Sequence, residues 1–256
     1  MPWRNGPQAR APGAFPAAEP DRLPRAIAAR LARAGQLAAV PAATAASPAA
    51  NQPCHEPQRT TPERWSREVF ELIEWRRFEA VVEALFAQAG FETRSKPCGA
   101  DGGVDIWLYS INHAEGDAPV SIVQCKQWMR RKVGVDEMRA LRGVMAQHAI
   151  GRGQFVTTSD FSDDARLFAD QNGIGLHDID GLLRLIATRH PKQQEALLRV
   201  AFEGEWWRPT CARCGIKLIE RTSREGGRPF WGCENYPRGC RIKMALRWQQ
   251  RTGRRT

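Results

Sequence analysis

Four of the seven cysteines in this 256-residue chain fall near its end, as Cys211-Ala212-Arg213-Cys214, then Cys233 and Cys240. The spacing is C-x2-C, 18 intervening residues, then C-x6-C. Two close pairs separated by a short hairpin can enclose one tetrahedral Zn2+, and four thiolates leave that ion no open position for catalysis. Such a metal is structural, and its binding energy folds a module too small for an apolar core of its own. Two disulfides are the other way to use four cysteines. An odd total in a chain of this length fits a reducing cytosol better than a secreted stapled scaffold. The spacing therefore marks off a metal-closed module at 210–246, and the rest of the chain must close on apolar residues.

Charge follows the same division. The chain carries a net +10, yet residues 206–256 hold 13 Lys+Arg against 3 Asp+Glu, while residues 1–205 hold 25 of each. The excess sits in the last fifth, where it suits either a polyanionic partner or a solvated tail, and it includes a basic stretch at 247–256. At the other end, 11 of the 17 prolines lie at or before Pro62, in an Ala/Pro/Arg-rich segment 1–60 that reads as a disordered tail. No apolar run approaches the ~20 residues of a membrane span. The chain is accordingly expected to have no membrane partner.

Between these ends the hydrophobic period switches repeatedly between 3.6 and 2. Thr61-Pro62-Glu63 reads as a helix start, with Thr as cap and Pro at the first position. Arg76–Ala89 is predicted as an amphipathic helix, with Phe78, Val81, Val82, Leu85, Phe86 and Ala89 on one face and Gly90 as the stop. Phe91–Ser95, Gly103–Tyr109, Val120–Lys126, Gln154–Thr157 and Gly173–His177 read as strands. Gly134–Ala149, a helix from the Ser162 cap through Gln171, Gly181–Thr188 and Pro191–Phe202 read as helices. In the first of these Val135, Met138, Leu141, Met145 and His148 face inward. The order predicts an α/β domain over 61–202 with a mixed sheet flanked by helices. Glu203–Pro209 reads as a linker into the cysteine module, where Ile216–Arg221 and Arg228–Gly232 read as short strands.

One constellation in the α/β domain carries chemistry. Gln124 and Lys126 are two apart on a strand and so share a face. If the flanking strands form a hairpin with Tyr109 opposite Ser121, Asp105 comes opposite Cys125, near both. Asp105 can bind Mg2+, a hard ion that takes oxygen ligands, and Gln124 can add its amide oxygen. Lys126 can orient an attacking water and stabilise developing negative charge. Glu79, on the preceding helix, can reach in as a further ligand. This set suits phosphodiester hydrolysis, although an Asp and a Lys on neighbouring strands also commonly form a plain salt bridge. Asp101 serves either as an auxiliary ligand or as a turn residue. Thr157, Thr158 and Ser159 suit strand-end capping better than phosphate contact. The five histidines are scattered, which excludes a catalytic triad, and no phosphate-cradling glycine loop of the ATP-binding kind is present.

Phe78-Glu79, Gly90-Phe91, the run Gly99 to Asp105, Gln124-Cys125-Lys126, the run Gly153 to Ser159, Phe161-Ser162 and Ala165 follow one another in an order that resembles the Mrr family of restriction endonucleases, within the PD-(D/E)XK superfamily. The resemblance spans roughly Trp75–Ile186. It implies a restriction-endonuclease-like fold, with Asp105 as the metal-binding acid, Gln124 and Lys126 as the Q-x-K half of the motif and Glu79 as the helix acid. Gln124 departs from the acid commonest in the superfamily, and a neutral amide binds Mg2+ less strongly. The cysteine module, through Cys211, Cys214-Gly215, Phe230-Trp231-Gly232-Cys233, Tyr236-Pro237 and Cys240-Arg241, resembles the C-terminal zinc ribbons of bacterial type I topoisomerases. That implies DNA binding with a preference for single strands. Cations at Arg213, Lys217, Arg228 and Arg238 interleaved with Phe230, Trp231 and Tyr236 fit it, since cations attract the backbone and rings stack on bases. One of Phe230 and Trp231 is needed instead to pack the module.

Three functions follow as expectations: a Mg2+-dependent endodeoxyribonuclease of the type IV restriction class acting on double-stranded, modified DNA; a repair or recombination nuclease on branched or single-stranded DNA; and a non-catalytic DNA-binding protein. An RNA-directed role is also compatible with the ribbon. Cutting both strands needs two active sites, so a homodimer is expected.

Overall fold

The computed structural model describes residues 60–95, 103–223 and 226–246. The tail at 1–59, Asp101, Cys98 and the basic stretch 247–256 lie outside the described residues. No helix among the described residues is long and apolar enough to cross a membrane.

The first described helix, α1 (Arg67–Leu72), starts six residues beyond Thr61, so Thr61-Pro62-Glu63 does not begin a helix. Helix α2 (Trp75–Gln88) follows, capped by the Glu74 side chain, and it buries Phe78, Val81, Val82, Leu85 and Phe86 on one face. Gly90, at φ +92°, carries the chain out of the helix in a conformation that a side chain resists. Strands β1 (Phe91–Ser95), β2 (Ile106–Ser110) and β3 (Ser121–Lys126) form an antiparallel meander. Helix α3 (Val135–Gln147) leads to β4 (Gly153–Thr157), α4 (Asp163–Gln171) to β5 (Ile174–His177), and both strands join parallel. The five-stranded sheet has the order β1-β2-β3-β4-β5, and α5 (Ile179–Ala187) and α6 (Pro191–Ala201) complete the domain. This is the mixed sheet flanked by helices that the alternating periodicity requires.

Two apolar layers sandwich the sheet. Ile106, Leu108, Val123, Cys125 and Val156 pack against α1, α2, α5 and α6. Trp107, Ile122 and Phe155 pack against α3 and α4, through Met138, Leu141, Met145, Ala165 and Ala169. His148 is exposed, its ring set edge-on against Trp107 at 4.9 Å, and Val135 is half-buried, so neither is the inward residue that the period suggests. Ser162 caps α4 through the Ala165 N–H at 3.2 Å, as its residue type predicts.

The β2–β3 register differs from the expected one by a single residue. Leu108, not Tyr109, lies opposite Ser121, and Ile106 lies opposite Val123. A one-residue slip exchanges the two faces of a strand. The register with Tyr109 opposite Ser121 would have set Ile106 against the Gln124 amide. The observed one matches Ile106 with Val123, both in the α2 layer, and Trp107 with Ile122 in the other.

Residues 203–209 do not form a free linker. Trp206 is buried in the same layer as α2, its carbonyl accepts from the Glu74 N–H at 2.7 Å, and Trp207 packs beside it. Beyond them stands a second, antiparallel sheet of β6 (Ile219–Thr222), β7 (Pro229–Gly232) and β8 (Lys243–Ala245). The third strand has no counterpart in the sequence reading, since three residues are too few to show a period.

Candidate functional site

Helix α2 and the hairpin β2–β3 meet at a pair of acids. The buried face of α2 holds Phe78 and Val82 against the sheet, and Glu79 stands beside Phe78 at the edge of that face. Asp105 precedes β2, and its Oδ2 accepts the Cys125 N–H at 2.6 Å, which ties it across to β3. The Glu79 and Asp105 carboxyls lie close enough for each to act on the other's charge. Burial, then the Asp105 charge, pushes the Glu79 carboxyl up to about 8, while the Arg76 guanidinium 3.4 Å away opposes the rise. Burial also raises Asp105, and the Cys125 N–H and the nearby Lys126 ammonium pull it back. Two neighbouring half-buried carboxyls cannot both ionise cheaply, so the pair favours holding a proton.

Strand β3 supplies the rest. In register Asp105 is level with Gln124, since Ile106 is paired with Val123. Gln124 and Lys126 share the face of β3 opposite to Val123 and Cys125, as the two-residue period demands. Lys126 lies close enough for its charge to act on Asp105. Gln124 is buried, and its amide lies against Gly103. Gly103 sits at φ +94°, and a Cβ there would come within 2.6 Å of the Gln124 Nε2. Only glycine meets both demands. Three of the four expected residues, Glu79, Asp105 and Lys126, are thus gathered, while Gln124 is beside them without a hydrogen bond to either acid among the described residues.

The surrounding shell contains residues that the motif did not name. Arg76 pairs with Glu79 and lies over the Trp75 ring at 4.9 Å. The Gln127 amide donates to the Phe70 and Ile73 carbonyls at 3.0 and 2.8 Å, fixing the turn between α1 and α2 relative to β3. Thr157 Oγ1 donates to the Lys126 carbonyl at 2.8 Å and accepts from the Ser159 N–H, the strand-end role expected of it. Burial drives the Cys125 thiol well above its ordinary range, which makes it an inert packing residue.

The donor set fits a divalent cation. A hard cation would relieve the repulsion between the two half-buried carboxyls, and carboxylate and amide oxygens are the ligands such an ion prefers.

Parts of this chain are similar to known proteins. Residues 70–186 match the family model described as restriction endonuclease, the Mrr catalytic type. Those residues are similar to a Mrr-type restriction-endonuclease domain. The type IV methyl-directed restriction enzyme EcoKMrr of Escherichia coli K12 is 30% identical to this chain over 130 residues, 48% of the chain and 41% of that enzyme. The chain therefore spans about two fifths of the length of the curated relative it matches. Among solved structures, the DNA modification-dependent restriction endonuclease AspBHI is 21% identical, covering 59% of this chain and 43% of that one at a TM-score of 0.39. MspJI restriction endonuclease in complex with a 27-mer oligonucleotide is 21% identical, covering 50% and 32% at 0.36.

Against the α/β domain stands the four-cysteine module. Two tight turns bring its thiols together: Gly215 N–H donates to the Cys211 carbonyl at 2.9 Å, and Tyr236 N–H to the Cys233 carbonyl at 3.2 Å. The Sγ atoms of Cys211, Cys214, Cys233 and Cys240 all lie within 4.8 Å of one another, and none is in a disulfide. Cys211 and Cys240 are 3.6 Å apart. Tetrahedral Zn–S bonds of about 2.3 Å place sulfurs about 3.8 Å apart, so one ion fits this cluster.

Trp231 is buried against the cysteines, while its neighbour Phe230 is only half-buried and Tyr236 is 54% exposed. Arg213, Arg228 and Arg238 are exposed, and the Arg221 guanidinium lies 5.9 Å from the Tyr236 ring. Lys217 is placed differently from its expected role. Its ammonium donates to Glu74 Oε1 at 3.1 Å and to the Glu205 and Arg208 carbonyls at 3.0 and 2.8 Å. All three of its donors are spent inside the protein, so Lys217 has none for a phosphate.

Proposed function

We propose that this chain is a Mg2+-dependent endodeoxyribonuclease that hydrolyses DNA phosphodiester bonds in the manner of a type IV restriction enzyme, with a zinc ribbon that grips DNA beside it. The observation that carries the reading is the nearness of two half-buried acids, Glu79 and Asp105, with Lys126 at hand, inside a stretch that matches the restriction-endonuclease model. The similarity to a methyl-directed enzyme suggests modified DNA as the substrate class.

In this reading Glu79, Asp105 and the Gln124 amide oxygen hold the ion. When bound, it supplies Lewis-acid neutralisation of the scissile phosphate and a water of lowered pKa. Loss of the Glu79 proton converts the acid pair into a ligand set. Arg76 keeps the Glu79 carboxylate oriented. Lys126 orients the attacking water and offsets charge building on the phosphate. The Cys125 N–H holds Asp105 in place throughout. Cys211, Cys214, Cys233 and Cys240 would hold one structural Zn2+. Arg213, Arg228, Arg238, Phe230 and Tyr236 form the nucleic-acid face, with Trp231 as its foundation. Cutting both strands together calls for a homodimer, which size-exclusion chromatography with light scattering would show; a monomer that cuts both strands at once would count against it.

Plasmid cleavage with and without Mg2+, on unmodified and methylated DNA, tests the reading against Asp105→Ala and Lys126→Ala. Metal-dependent cutting lost in both variants supports it. DNA binding without cutting by any form would replace it with a non-catalytic DNA-binding protein. A second reading keeps the hydrolysis and changes the substrate to branched or single-stranded DNA. The exposed Tyr236 ring beside Arg221 favours it, because stacking needs an unpaired base. Preference for a forked over a methylated linear substrate would select it.

A further inference from the structure

Glu74 is an acid that the hydrolytic site does not use, and it is 2% exposed. It caps α2, with Oε2 accepting from the Arg76 N–H at 3.1 Å. Capping needs only one acceptor. Glu74 makes three further bonds, all to the ribbon side: Thr210 N–H to Oε2 at 3.2 Å, Thr210 Oγ1 to Oε1 at 3.0 Å, and Lys217 Nζ to Oε1 at 3.1 Å. The neighbouring Trp75 indole donates to the Thr210 carbonyl at 2.8 Å, closing a second link. Thr210 immediately precedes Cys211, whose Sγ belongs to the thiol cluster, and Thr210 pairs with Lys217 across an isolated bridge. Anything that displaces Cys211 therefore displaces the donors that hold the first turn of α2.

We propose that Glu74 is a positioning residue through which the metal-closed ribbon sets the placement of α2, and with it Glu79, in the hydrolytic site. The inference rests on the reading of Glu79 as a ligand of that site. Five residues separate the two acids, about 7.5 Å or 1.4 turns of helix. An α-helix is stiff over that length, so a shift of the first turn reaches Glu79 undiminished. The apolar face of α2 holds its distance from the sheet, and the polar first turn governs its slide along its own axis. The ribbon is then a brace for the catalytic helix as well as a grip on DNA, and nuclease function acquires a dependence on a Zn2+ that never touches the substrate phosphate.

Hydrogen–deuterium exchange on the full chain tests this without cleavage. Zinc-loaded wild type is compared with chelator-stripped wild type, with Glu74→Gln, and with Glu74→Gln/Lys217→Met, which removes both buried charges together. Mg2+ binding is titrated in parallel by calorimetry. In the stripped protein and the single variant, exchange of amides 75–79 is expected to rise about tenfold, the equivalent of one or two lost hydrogen bonds. The α3 and α4 amides keep their protection, and the Mg2+ needed for half-saturation rises several-fold. The double variant, whose fold is spared an unpaired charge, shows the same local rise. If the α2 amides are unchanged after the ribbon amides have lost protection, the proposal is overturned. A rise spread equally over α3 and α4 overturns it as well, because it reports general destabilisation. Should Glu74→Gln fail to fold, the stripped wild type decides alone. A protein that never cuts plasmid would retire the nuclease reading and leave the exchange result to judge the brace.

Discussion

The α/β domain and the four-cysteine module solve the same problem, closing a fold, by different physics. The domain buries two apolar layers about a five-stranded sheet, and its largest buried side chains include Phe70, Phe78, Phe155 and Phe161. The ribbon has three short strands and a cluster of four thiols with Leu218 and Trp231. A core of that kind holds through many small contributions, each replaceable at moderate cost. A thiolate cluster holds through one metal, and losing a single ligand removes most of the closure. The joint between them is neither apolar nor metallic: it is a buried carboxylate with four donors.

That contrast can be broken experimentally, and the largest effect is expected in the ribbon. Cys233→Ser should abolish Zn2+ retention and unfold 210–246, on the scale of the ~10 kcal/mol or more that structural zinc contributes. Helical circular dichroism from the domain should survive. Loss of the whole helical signal would mean the two regions form one cooperative unit. In the domain, Phe78→Ala should cost about 3–5 kcal/mol, read from the denaturant midpoint, and leave zinc content untouched.

Next in size is the joint. Lys217→Ala leaves Glu74 buried and unpaired, which should cost about 3–5 kcal/mol. Glu74→Gln/Lys217→Met should recover part of that loss in a thermal melt. A double variant no better than the single would show that the ion pair is not what joins the regions.

A comparable change is expected at the acid pair, with a sign set by its proton. The Glu79 carboxyl is held at about 8 against an ordinary value of 4.5, so between these values the folded protein binds the proton that the unfolded chain releases. The contribution is fully present below about 4.5 and is lost as pH rises through about 8. Without Mg2+, the melting temperature should therefore fall across that window; with Mg2+ the ion replaces the proton and the slope should shrink. Glu79→Gln should flatten the profile and stabilise the Mg2+-free protein above pH 8. An unchanged profile in that variant would remove Glu79 as the proton holder.

The smallest effect belongs to the exposed face of the ribbon. Tyr236→Ala should leave folding alone and weaken single-strand binding by about 1–3 kcal/mol, the worth of one stacked base. Equal weakening for duplex and single strand would argue for a backbone contact instead.

Much of this was legible in the chain alone, and the reasons are local. Phe78, Val81, Val82, Leu85 and Phe86 show the period of α2 within a few turns, and four cysteines at fixed intervals announce one cluster. Asp105 and Lys126 can be nominated because motif spacing and strand alternation both operate over short stretches. The β2–β3 register was misjudged by one residue, because it depends on which apolar layer each strand joins, and no stretch of one strand records that. Lys217 looked like one more cation in a basic ribbon. Its partner Glu74 lies 143 residues earlier.

The sequence by itself determined the alternation of elements, the division into an apolar and a cysteine-clustered region, and the residue types available for phosphodiester chemistry. Periodicity and ligand spacing are properties of neighbours along the chain, so they survive in one dimension. Only the tertiary structure decided that Glu79 and Asp105 come together away from bulk water, that Trp206 belongs to the core, and that a glutamate capping one helix also anchors the ribbon. Each of these depends on desolvation or on a partner remote in sequence, and both come into existence only when the chain closes on itself.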